Sequence, residues 1–532
     1  MVGIRARNVL MVYPRFVADS FFSFRTACET IGRRCAAAPL GLITVAALLP
    51  PEWNVRFLDR NADELTEQDL EWADLVMTGG MIVQQRDTLD IVRTCRERAV
   101  PVAVGGPDAT SSPHVYREAD FQVIGEVEDI MRDFVAAVEH GAERGIFEAA
   151  KFQIDVSKSP IPRFDLLKFE NYLSVGVQFS RGCPFTCEFC DIIELYGRVP
   201  RAKTNDQMLA ELDALYRLGW RGIVEFVDDN FIGNKKALKK FLPELARWLH
   251  ARGYPFEFAT EASLNLADDD ELLGLLREAN FFTVFVGIES PDTDTLIAAR
   301  KKQNTRHSIV ESIHRIHSAG IFVSAGFIVG FDTEDGSVTS AMVGLIEDAA
   351  LPVCMVALLS ALPNTQFTRR LEREGRLHSN YEIIHFSNLN FRLNFETRRP
   401  AIEVMRDCQA VIRQIYDAPR YFGRVRRLAR TLNYHGRRAR TPIRKELYEG
   451  SRLAWRAMVQ DATMRKEVWK TVIDCLWHNP RSLRAVAKLS LVYIHLGPFS
   501  RYAVNALEQR IGSDASPRQR SAIRREPLPA AP

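Results

Sequence analysis

The chain has 532 residues, a net charge of +3, and 46% hydrophobic and 26% charged residues. This composition is ordinary for a soluble globular protein, and the length leaves room for about three or four domains of ~150 residues. No apolar run approaches the about 18 residues of a membrane span, and no signal peptide pattern opens the chain, which argues against an integral membrane protein or an exported one.

Cysteine usage indicates the compartment. Nine cysteines are scattered along the chain, and an odd, irregularly spaced set does not indicate a disulfide framework. We therefore predict a reducing, cytoplasmic location.

Residues 1–150 alternate short apolar runs with segments of helical pattern. The runs lie at 8–13, 55–59, 74–79, 100–105 and 121–125, and two of the helical segments lie at 40–49 and 84–97. Strands that alternate with helices predict an α/β domain with a doubly wound parallel sheet. Ligands of such sheets bind at the carboxyl ends of the strands.

Small and turn-forming residues follow these predicted strands. They are Tyr13, Gly79, Gly80, Gly105, Gly106 and Gly125. Paired glycines let the backbone approach a bulky ligand closely, but they also form ordinary tight turns, and spacing alone does not separate the two uses. The nucleotide fingerprint GxGxxG is absent.

A linker with Pro160 and Pro162 leads into a second predicted domain, 165–385. Its apolar runs lie at 175–179, 222–227, 256–260, 283–288, 321–328 and 355–359, with helical segments between them. Six βα repeats predict a partial (βα)6 barrel that is open at one side. Because the loops after the strands build the active site of a parallel barrel, we expect the chemistry there.

The loop after the first of these strands carries Cys183, Cys187 and Cys190. Three thiolates in one short loop are typical ligands of an iron-sulfur cluster, and a [4Fe-4S] cube held by only three would keep one iron open to a small molecule. The alternatives are a zinc site, a disulfide with a spare thiol, and buried cysteines that act as small apolar residues. We favour the open cluster, because no fourth Cys or His follows at a zinc-finger spacing.

The CxxxCxxC pattern, with the aromatic Phe189 before its last cysteine, resembles the signature of the radical S-adenosylmethionine (SAM) enzymes. In that family the open iron binds SAM, and reductive cleavage of SAM yields a radical that takes hydrogen from an unactivated carbon. The resemblance implies a [4Fe-4S] cluster and SAM as cofactors here. It also implies that an external electron donor, such as a flavodoxin or a ferredoxin, reduces the cluster.

The same resemblance implies which later strand ends contact SAM. Besides Phe189, the implied residues are Asp228, Asp229, Glu261, Glu289, Gly326 and Gly330. The family usually has Gly-Gly-Glu where this chain has Asp228, Asp229 and Asn230, so the group that holds the SAM amino group stays open. Helix capping or a solvated loop is the alternative for the carboxylates, and close strand packing is the alternative for the glycines.

Placed directly before such a core, residues 1–150 resemble the cobalamin-binding domain of the B12-dependent radical SAM branch. This implies that the strand-end residues Tyr13, Gly79, Gly80, Gly105, Gly106 and Gly125 bind cobalamin. The DxHxxG loop that supplies a histidine to cobalt is missing after the first strand, and His114 does not fit that position. We therefore expect no protein histidine below the cobalt.

Residues 386–510 are predicted to form a helical, basic extension, and 511–532 a disordered tail. From residue 420 onward there are 24 Lys and Arg against 8 Asp and Glu, a net charge of +16. Basic residues beside tryptophan-bearing helices suit an anionic membrane surface, so peripheral contact of 420–500 with the inner membrane face is one interpretation. The other two are a solvated helical cap over the active site and, less favoured, a nucleic-acid surface.

The order of these parts resembles the B12-binding radical SAM methyltransferases, and the stretches 11–16 and 39–42 are similar to the hopanoid C-2 methylases among them. The resemblance implies methyl transfer to an unactivated carbon of an apolar lipid, a hopanoid at C-2. One alternative is methylation of another apolar scaffold such as a tetrapyrrole. A second alternative is a cobalamin or redox sensor without turnover.

Overall fold

The computed structural model describes residues 6–17, 20–379, 393–434, 436–437, 452 and 462–514. The strands are, in chain order, β1 (Asn8–Tyr13), β2 (Cys35–Ala38), β3 (Asn54–Asp59), β4 (Leu75–Gly79), β5 (Val102–Gly105), β6 (Phe121–Ile124), β7 (Gly145–Glu148), β8 (Tyr172–Val177), β9 (Ser180–Arg181), β10 (Arg201–Ala202), β11 (Gly222–Phe226), β12 (Phe256–Glu261), β13 (Phe281–Glu289), β14 (Phe322–Val329) and β15 (Val353–Leu358).

The helices pack around these strands. They are α1 (Arg25–Thr30), α2 (Leu40–Ala46), α3 (Glu67–Trp72), α4 (Gln85–Glu97), α5 (Gly106–Ser111), α6 (Met131–Glu139), α7 (Ile192–Leu195), α8 (Asn205–Arg217), α9 (Lys235–Ala251), α10 (Asp270–Glu278), α11 (Thr293–Ala298), α12 (Ile309–Ser318), α13 (Thr339–Asp348), α14 (Gln366–Arg373), α15 (Ala401–Ile415), α16 (Ala418–Thr431), α17 (Ala462–His478) and α18 (Leu483–Asp514).

The first sheet has six parallel strands in the order β3-β1-β4-β5-β6-β7. Its strand β1, which lies between β3 and β4, is a continuous apolar run because helices cover both of its faces. Helices α2 and α6 contribute to the core on one face, and α3 and α4 to the core on the other. The predicted doubly wound sheet is confirmed.

The second sheet is the curled half-barrel, in the order β15-β14-β13-β12-β11-β8-β2. Its six strands from β8 to β15 are those predicted from the sequence, and helices α8, α9, α10, α12 and α13 follow them in turn. The seventh strand was not predicted. Strand β2 belongs to the first 150 residues of the chain but pairs with β8 in the second sheet, with Cys35 opposite Tyr172 and Ala38 opposite Val175.

The C-terminal helices close this half-barrel. Helix α15 packs on β15, and the long helix α18 packs on both α15 and α1, which lies next to β2. The contact with the amino-terminal segment is specific: the Phe21 and Phe499 rings are 6.3 Å apart, and the His495 ring nitrogen Nε2 is 2.8 Å from the Ser20 carbonyl. Helix α18 therefore runs from one edge of the sheet to the other.

Helix α18 continues to Asp514, so the start of the segment 511–532, predicted to be disordered, is helical. The remainder of that segment, 515–532, lies outside the described residues, as do all of the basic residues between 438 and 451. Among the described residues, no helix is both long enough and apolar enough to cross a bilayer.

Candidate active site

The cysteine loop begins in a hairpin of β9 and β10, directly after β8. Gly182 has a left-handed backbone, with φ of 98°. A Cβ at this position would come within 3.0 Å of the Gly197 carbonyl oxygen, so only glycine fits where the two arms of the loop meet. The Cys183 N–H donates to the same carbonyl at 3.2 Å, and the Cys190 N–H donates to the Cys187 carbonyl.

All three thiols are free, which excludes the disulfide alternative. Among the described residues, no three His, Cys, Asp or Glu side chains lie close enough to hold one metal ion. The ligands of a single zinc ion stand about 2.3 Å from it and so lie close together, whereas a cube of four irons takes its cysteines from separate corners. Three cysteines would occupy three corners of such a cube and leave the fourth iron open to a small molecule.

Two side-chain amides point at the thiols. The Asn230 Nδ2 group lies 3.8 Å from the Cys183 sulfur, and the Gln303 Nε2 group lies 3.5 Å from the Cys187 sulfur. An N–H donor favours the thiolate over the thiol. Burial raises the pKa of Cys183 and, together with the Asp191 carboxylate, raises that of Cys190. In the protein alone these two thiols hold their protons, which metal binding would release.

Asp228 fastens the start of the cysteine loop. Its carboxylate accepts the Phe179 N–H, the Ser180 N–H and the Ser180 hydroxyl. Burial outweighs these bonds and raises the pKa of Asp228 to about 6. The structure thus gives Asp228 a bracing role, and its predicted contact with SAM stays a prediction.

The carboxylates of Asp229 and Glu261 could accept hydrogen bonds from a ligand. Asp229 is half-buried, and its buried Oδ2 atom has no hydrogen-bond partner among the described residues. Burial and then the neighbouring Asp228 raise the pKa of Asp229 to about 7. Glu261 lies at the end of β12, where solvent reaches it but protein atoms surround its carboxylate. The resulting desolvation and then the nearby Glu225 raise the pKa of Glu261 to about 8. An orphaned carboxylate beside the cysteine loop fits a cationic ligand group.

Glu289 already has a protein partner. Lys301 donates to its carboxylate, and both side chains are buried. The Lys301 ammonium also lies 5.9 Å from the centre of the Phe189 ring. Although burial opposes the charge, the Glu289 carboxylate and then a thiolate at Cys187 raise the pKa of Lys301. Lys301 therefore places a positive charge next to two of the cysteines.

Of the two glycines predicted to contact adenine, Gly326 lies within β14 and Gly330 directly follows it. A Cβ on Gly326 would come within 3.1 Å of the Phe285 ring, so glycine leaves room for that ring inside the half-barrel. Gly330 forms the turn after the strand, and its N–H donates to Glu334 at 3.0 Å. Strand packing and turn formation account for both glycines, and adenine contact stays a prediction.

The predicted cobalamin residues all lie at the carboxyl edge of the first sheet. Strands β1, β4, β5 and β6 are neighbours, so Tyr13, Gly79, Gly80, Gly105, Gly106 and Gly125 follow one another along this edge. A Cβ on Gly79 would overlap the Gly105 carbonyl, and one on Gly106 would come within 3.2 Å of the Gly80 nitrogen. The paired glycines are thus required for packing against each other, whether or not they also approach a ligand.

A buried ion network joins this edge to the cysteine loop. Arg181 pairs with Glu128 at 2.6 Å and with Glu126 at 3.2 Å, and Arg201 pairs with Glu126 at 2.9 Å. The two glutamates follow β6, and the two arginines belong to the β9–β10 hairpin. The carboxyl edge of the first sheet therefore faces the cysteine loop.

Sequence reasoning missed Asn230 and Gln303 as donors to sulfur, Lys301 as the partner of Glu289, and the network around Arg181. No local pattern signals them, because each acts on a residue that is distant in the chain. The spacing of the cysteines was the one strong local signal.

Comparison with known proteins identifies related chains. Residues 177–340 match the radical SAM superfamily, and residues 365–509 match a domain of unknown function, DUF4070. An uncharacterized methyltransferase of Synechocystis sp. is 42% identical over 89% of this chain and 88% of its own. The hopanoid C-2 methylase of Rhodopseudomonas palustris is 39% identical over 77% of each chain.

Solved structures show the same fold. The cobalamin-dependent SAM radical enzyme OxsB with aqua-cobalamin bound aligns with a TM-score of 0.60 at 15% identity, covering 96% of this chain and 81% of OxsB. The radical SAM methyltransferase TsrM from Kitasatospora setae, with cobalamin and a [4Fe-4S] cluster bound, aligns with a TM-score of 0.53 at 16% identity, covering 70% of this chain and 75% of TsrM.

Proposed function

Because this chain belongs to the radical SAM methyltransferases, we propose that it binds cobalamin and methylates an unactivated carbon of an apolar lipid, a hopanoid at C-2. The observation that supports the chemistry is the juxtaposition of the cysteine loop and the glycine-rich edge of the first sheet across the Arg181 network. The relative from Rhodopseudomonas palustris supports the choice of substrate.

When bound, the [4Fe-4S] cluster, SAM and cobalamin supply the radical that opens the C–H bond and the methyl group that replaces the hydrogen. Cys183, Cys187 and Cys190 would hold the cluster, with Asn230 and Gln303 donating to its ligands. Asp229 and Glu261 would take the cationic amino group of SAM, because the Asp229 Oδ2 atom has no hydrogen-bond partner among the described residues and Glu261 is reached by solvent. The first-sheet edge from Tyr13 to Gly125 would hold cobalamin.

The protein's own contribution is placement. Arg181 and Arg201 fix the cysteine hairpin against the loop after β6, so the two cofactor sites keep one separation. Helix α18 packs on α15 and α1, and strand β2 extends the sheet beside β8; these elements would limit the access of water to a substrate inside the half-barrel. No proton-transfer residue is required for hydrogen abstraction followed by methyl capture.

A surface of this chain beside the cysteine loop would suit an acidic electron-transfer protein. A depression of about 410 Å³ borders Glu188, which lies between Cys187 and Cys190. Its other lining residues are Arg300, Gln366, Arg369, Arg370, Glu372 and Arg373. Arg369 and Arg370 are paired with Glu194 and with Glu188 and Asp332. Arg300 and Arg373 have no carboxylate partner among the described residues, and their positive charge would steer a flavodoxin or ferredoxin to the cluster.

The substrate is tested in the native host. Total lipids are analysed by mass spectrometry with and without the gene, and we expect methylated hopanoids to vanish on deletion and to return with the wild-type gene. A Cys187→Ala copy is expected to restore nothing, whereas Cys95→Ala, which removes a buried thiol of the first domain, is expected to restore them. Unchanged methylated hopanoids in the deletion strain would refute the substrate, and extracted pigments would then be compared for a tetrapyrrole product.

A sensor without turnover is separated from an enzyme in vitro. The reconstituted protein is reduced in the presence of SAM, and release of 5'-deoxyadenosine is measured. Continuous release indicates an enzyme. SAM that stays intact after reduction of a loaded cluster would contradict the proposed activity.

A further inference from the structure

Helix α17 presents a stripe of large apolar side chains to solvent. Trp469, Ile473, Leu476 and Trp477 lie at helical spacing and therefore on one face. Ile473 is 64% exposed and Trp477 is 85% exposed. A soluble protein rarely leaves a row of this size uncovered, and such rows mark interaction sites.

The other face of α17 is firmly packed. Met464, Val468 and Cys475 are buried against the helices α16 and α18. Both acidic residues of the helix also point to that side: Glu467 pairs with Arg426 at 2.7 Å, and Asp474 pairs with Arg430. The exposed stripe is therefore held outward by the fold.

The charge around the stripe is positive. Lys466 and Lys470 are exposed and lie within one turn of Trp469, and Arg481 is exposed in the turn that follows the helix. Leu483, at the start of α18, extends the apolar surface. With both carboxylates of α17 used on its inner side, the described part of the outward face combines apolar and cationic groups.

We propose that this face, formed by Lys466, Trp469, Lys470, Ile473, Leu476, Trp477 and Arg481, docks the protein flat on an anionic lipid bilayer. The proposal rests on the proposed function, since a hopanoid resides in a lipid membrane. Tryptophan is favoured at the boundary between headgroups and acyl chains, and flanking lysines attract anionic lipid. A protein partner or a second copy of this chain would have to supply the matching negative charge.

The test uses the full-length protein and vesicles of phosphatidylcholine, with or without phosphatidylglycerol. We expect co-sedimentation with the anionic vesicles, weakened by salt, and quenching of tryptophan fluorescence by brominated lipid. The double variant Ile473→Ser/Trp477→Ser is expected to bind at least about tenfold more weakly. Ile146→Ser removes an equally exposed isoleucine, 68% exposed on strand β7, and is expected to bind like the wild type.

The charge is tested separately. Lys466→Gln/Lys470→Gln is expected to weaken binding to anionic vesicles about fivefold per lysine and to leave binding to neutral vesicles unchanged. Lys236→Gln/Lys240→Gln removes two exposed lysines from α9 and serves as the matched control. Wild-type binding by both double variants of α17 would overturn the proposal. A wild-type dimer in light scattering that Ile473→Ser/Trp477→Ser converts to a monomer would overturn it in favour of a second copy.

Methyl transfer to detergent-solubilised hopanoid separates this proposal from the proposed function. The α17 variants are expected to keep that turnover while they lose vesicle binding. Vesicle binding by a wild type that never methylates hopanoid would support the docking face and refute the substrate. Loss of detergent turnover in step with vesicle binding would overturn the docking role and indicate a damaged fold.

Discussion

Asp228 and Asp229 are adjacent carboxylates that the fold uses in different ways. The Asp228 carboxylate accepts hydrogen bonds from two backbone N–H groups and one hydroxyl at the start of the cysteine loop. Asp229 keeps an oxygen that no described group satisfies. This contrast gives a matched pair of substitutions.

Asp228→Asn puts an amide NH2 group opposite N–H donors. We expect a loss of about 1 to 3 kcal/mol for each donor left unsatisfied, and poor incorporation of iron. Asp229→Asn keeps the volume and removes repulsion from Asp228, so we expect an unchanged or higher melting temperature but weaker SAM binding. Thermal unfolding, iron content and calorimetric titration with SAM measure these effects. Equal losses of stability in the two variants would contradict the assignment.

His317 couples the stability of the barrel to pH. Its Nε2 atom accepts the Val323 N–H at 3.2 Å, and burial lowers its pKa to about 3. In the unfolded chain His317 takes up a proton near pH 6.5, whereas in the folded chain it stays neutral down to about pH 3. Folding is therefore unaffected by this group above about pH 6.5 and is weakened by about 1.4 kcal/mol per pH unit below it.

We expect the melting temperature to fall further between pH 7 and pH 5 for the wild type than for His317→Gln. The glutamine side-chain oxygen can still accept the Val323 N–H. The difference between the two curves isolates this residue from the carboxylates that titrate in the same range. Parallel curves would show that the histidine is protonated in the folded state.

At the scale of elements, helix α16 is attached to the half-barrel by two arginines that share one partner. Arg424 is fully buried and binds Glu347 at 2.5 Å together with the Leu351 and Ile415 carbonyls. Arg427, one turn later, is 49% exposed and binds the other oxygen of Glu347. The two differ mainly in burial.

Arg424→Met is expected to cost about 3 to 5 kcal/mol, because it leaves buried acceptors and part of a carboxylate without a donor. Arg427→Met is expected to cost about 0 to 1 kcal/mol, because water replaces the lost contact. Denaturant unfolding of the two variants and the wild type gives the comparison. A cost for Arg427→Met as large as that for Arg424→Met would show that the charge of Glu347, and not burial, sets the energy.

Elements whose burial is continuous could be predicted from the sequence, and elements that depend on a distant partner could not. The bounds of β1 follow from its unbroken apolar run, which a parallel strand with strands on both sides and helices on both faces requires. Strand β2 is Cys-Ala-Ala-Ala, has no β-branched residue, and exists only through its pairing with β8. The cysteine loop is local in sequence, whereas Lys301 and Gln303 reach it from beyond α11.

At the scale of the whole molecule, the predicted division near residue 150 is crossed twice. Strand β2 completes the half-barrel sheet from the amino-terminal side. Helix α1 and the segment before it pack on α18, near the other end of the chain. The cofactor sites proposed for the two sheets are thus fixed relative to each other by interlocked elements as well as by the Arg181 network.

This interlocking predicts how the chain behaves when it is divided in the linker, into 1–160 and 161–532. Alone, the first fragment exposes β2 as an unpaired strand together with the apolar side of α1, and the second exposes the open edge of β8 and the surface of α18 that carries Phe499. We expect each fragment to aggregate when produced separately and the two to form a soluble complex when produced together, as seen by size-exclusion chromatography. A monomeric fragment 1–160 with a cooperative melting transition would show instead that the amino-terminal sheet folds without its exchanged strand.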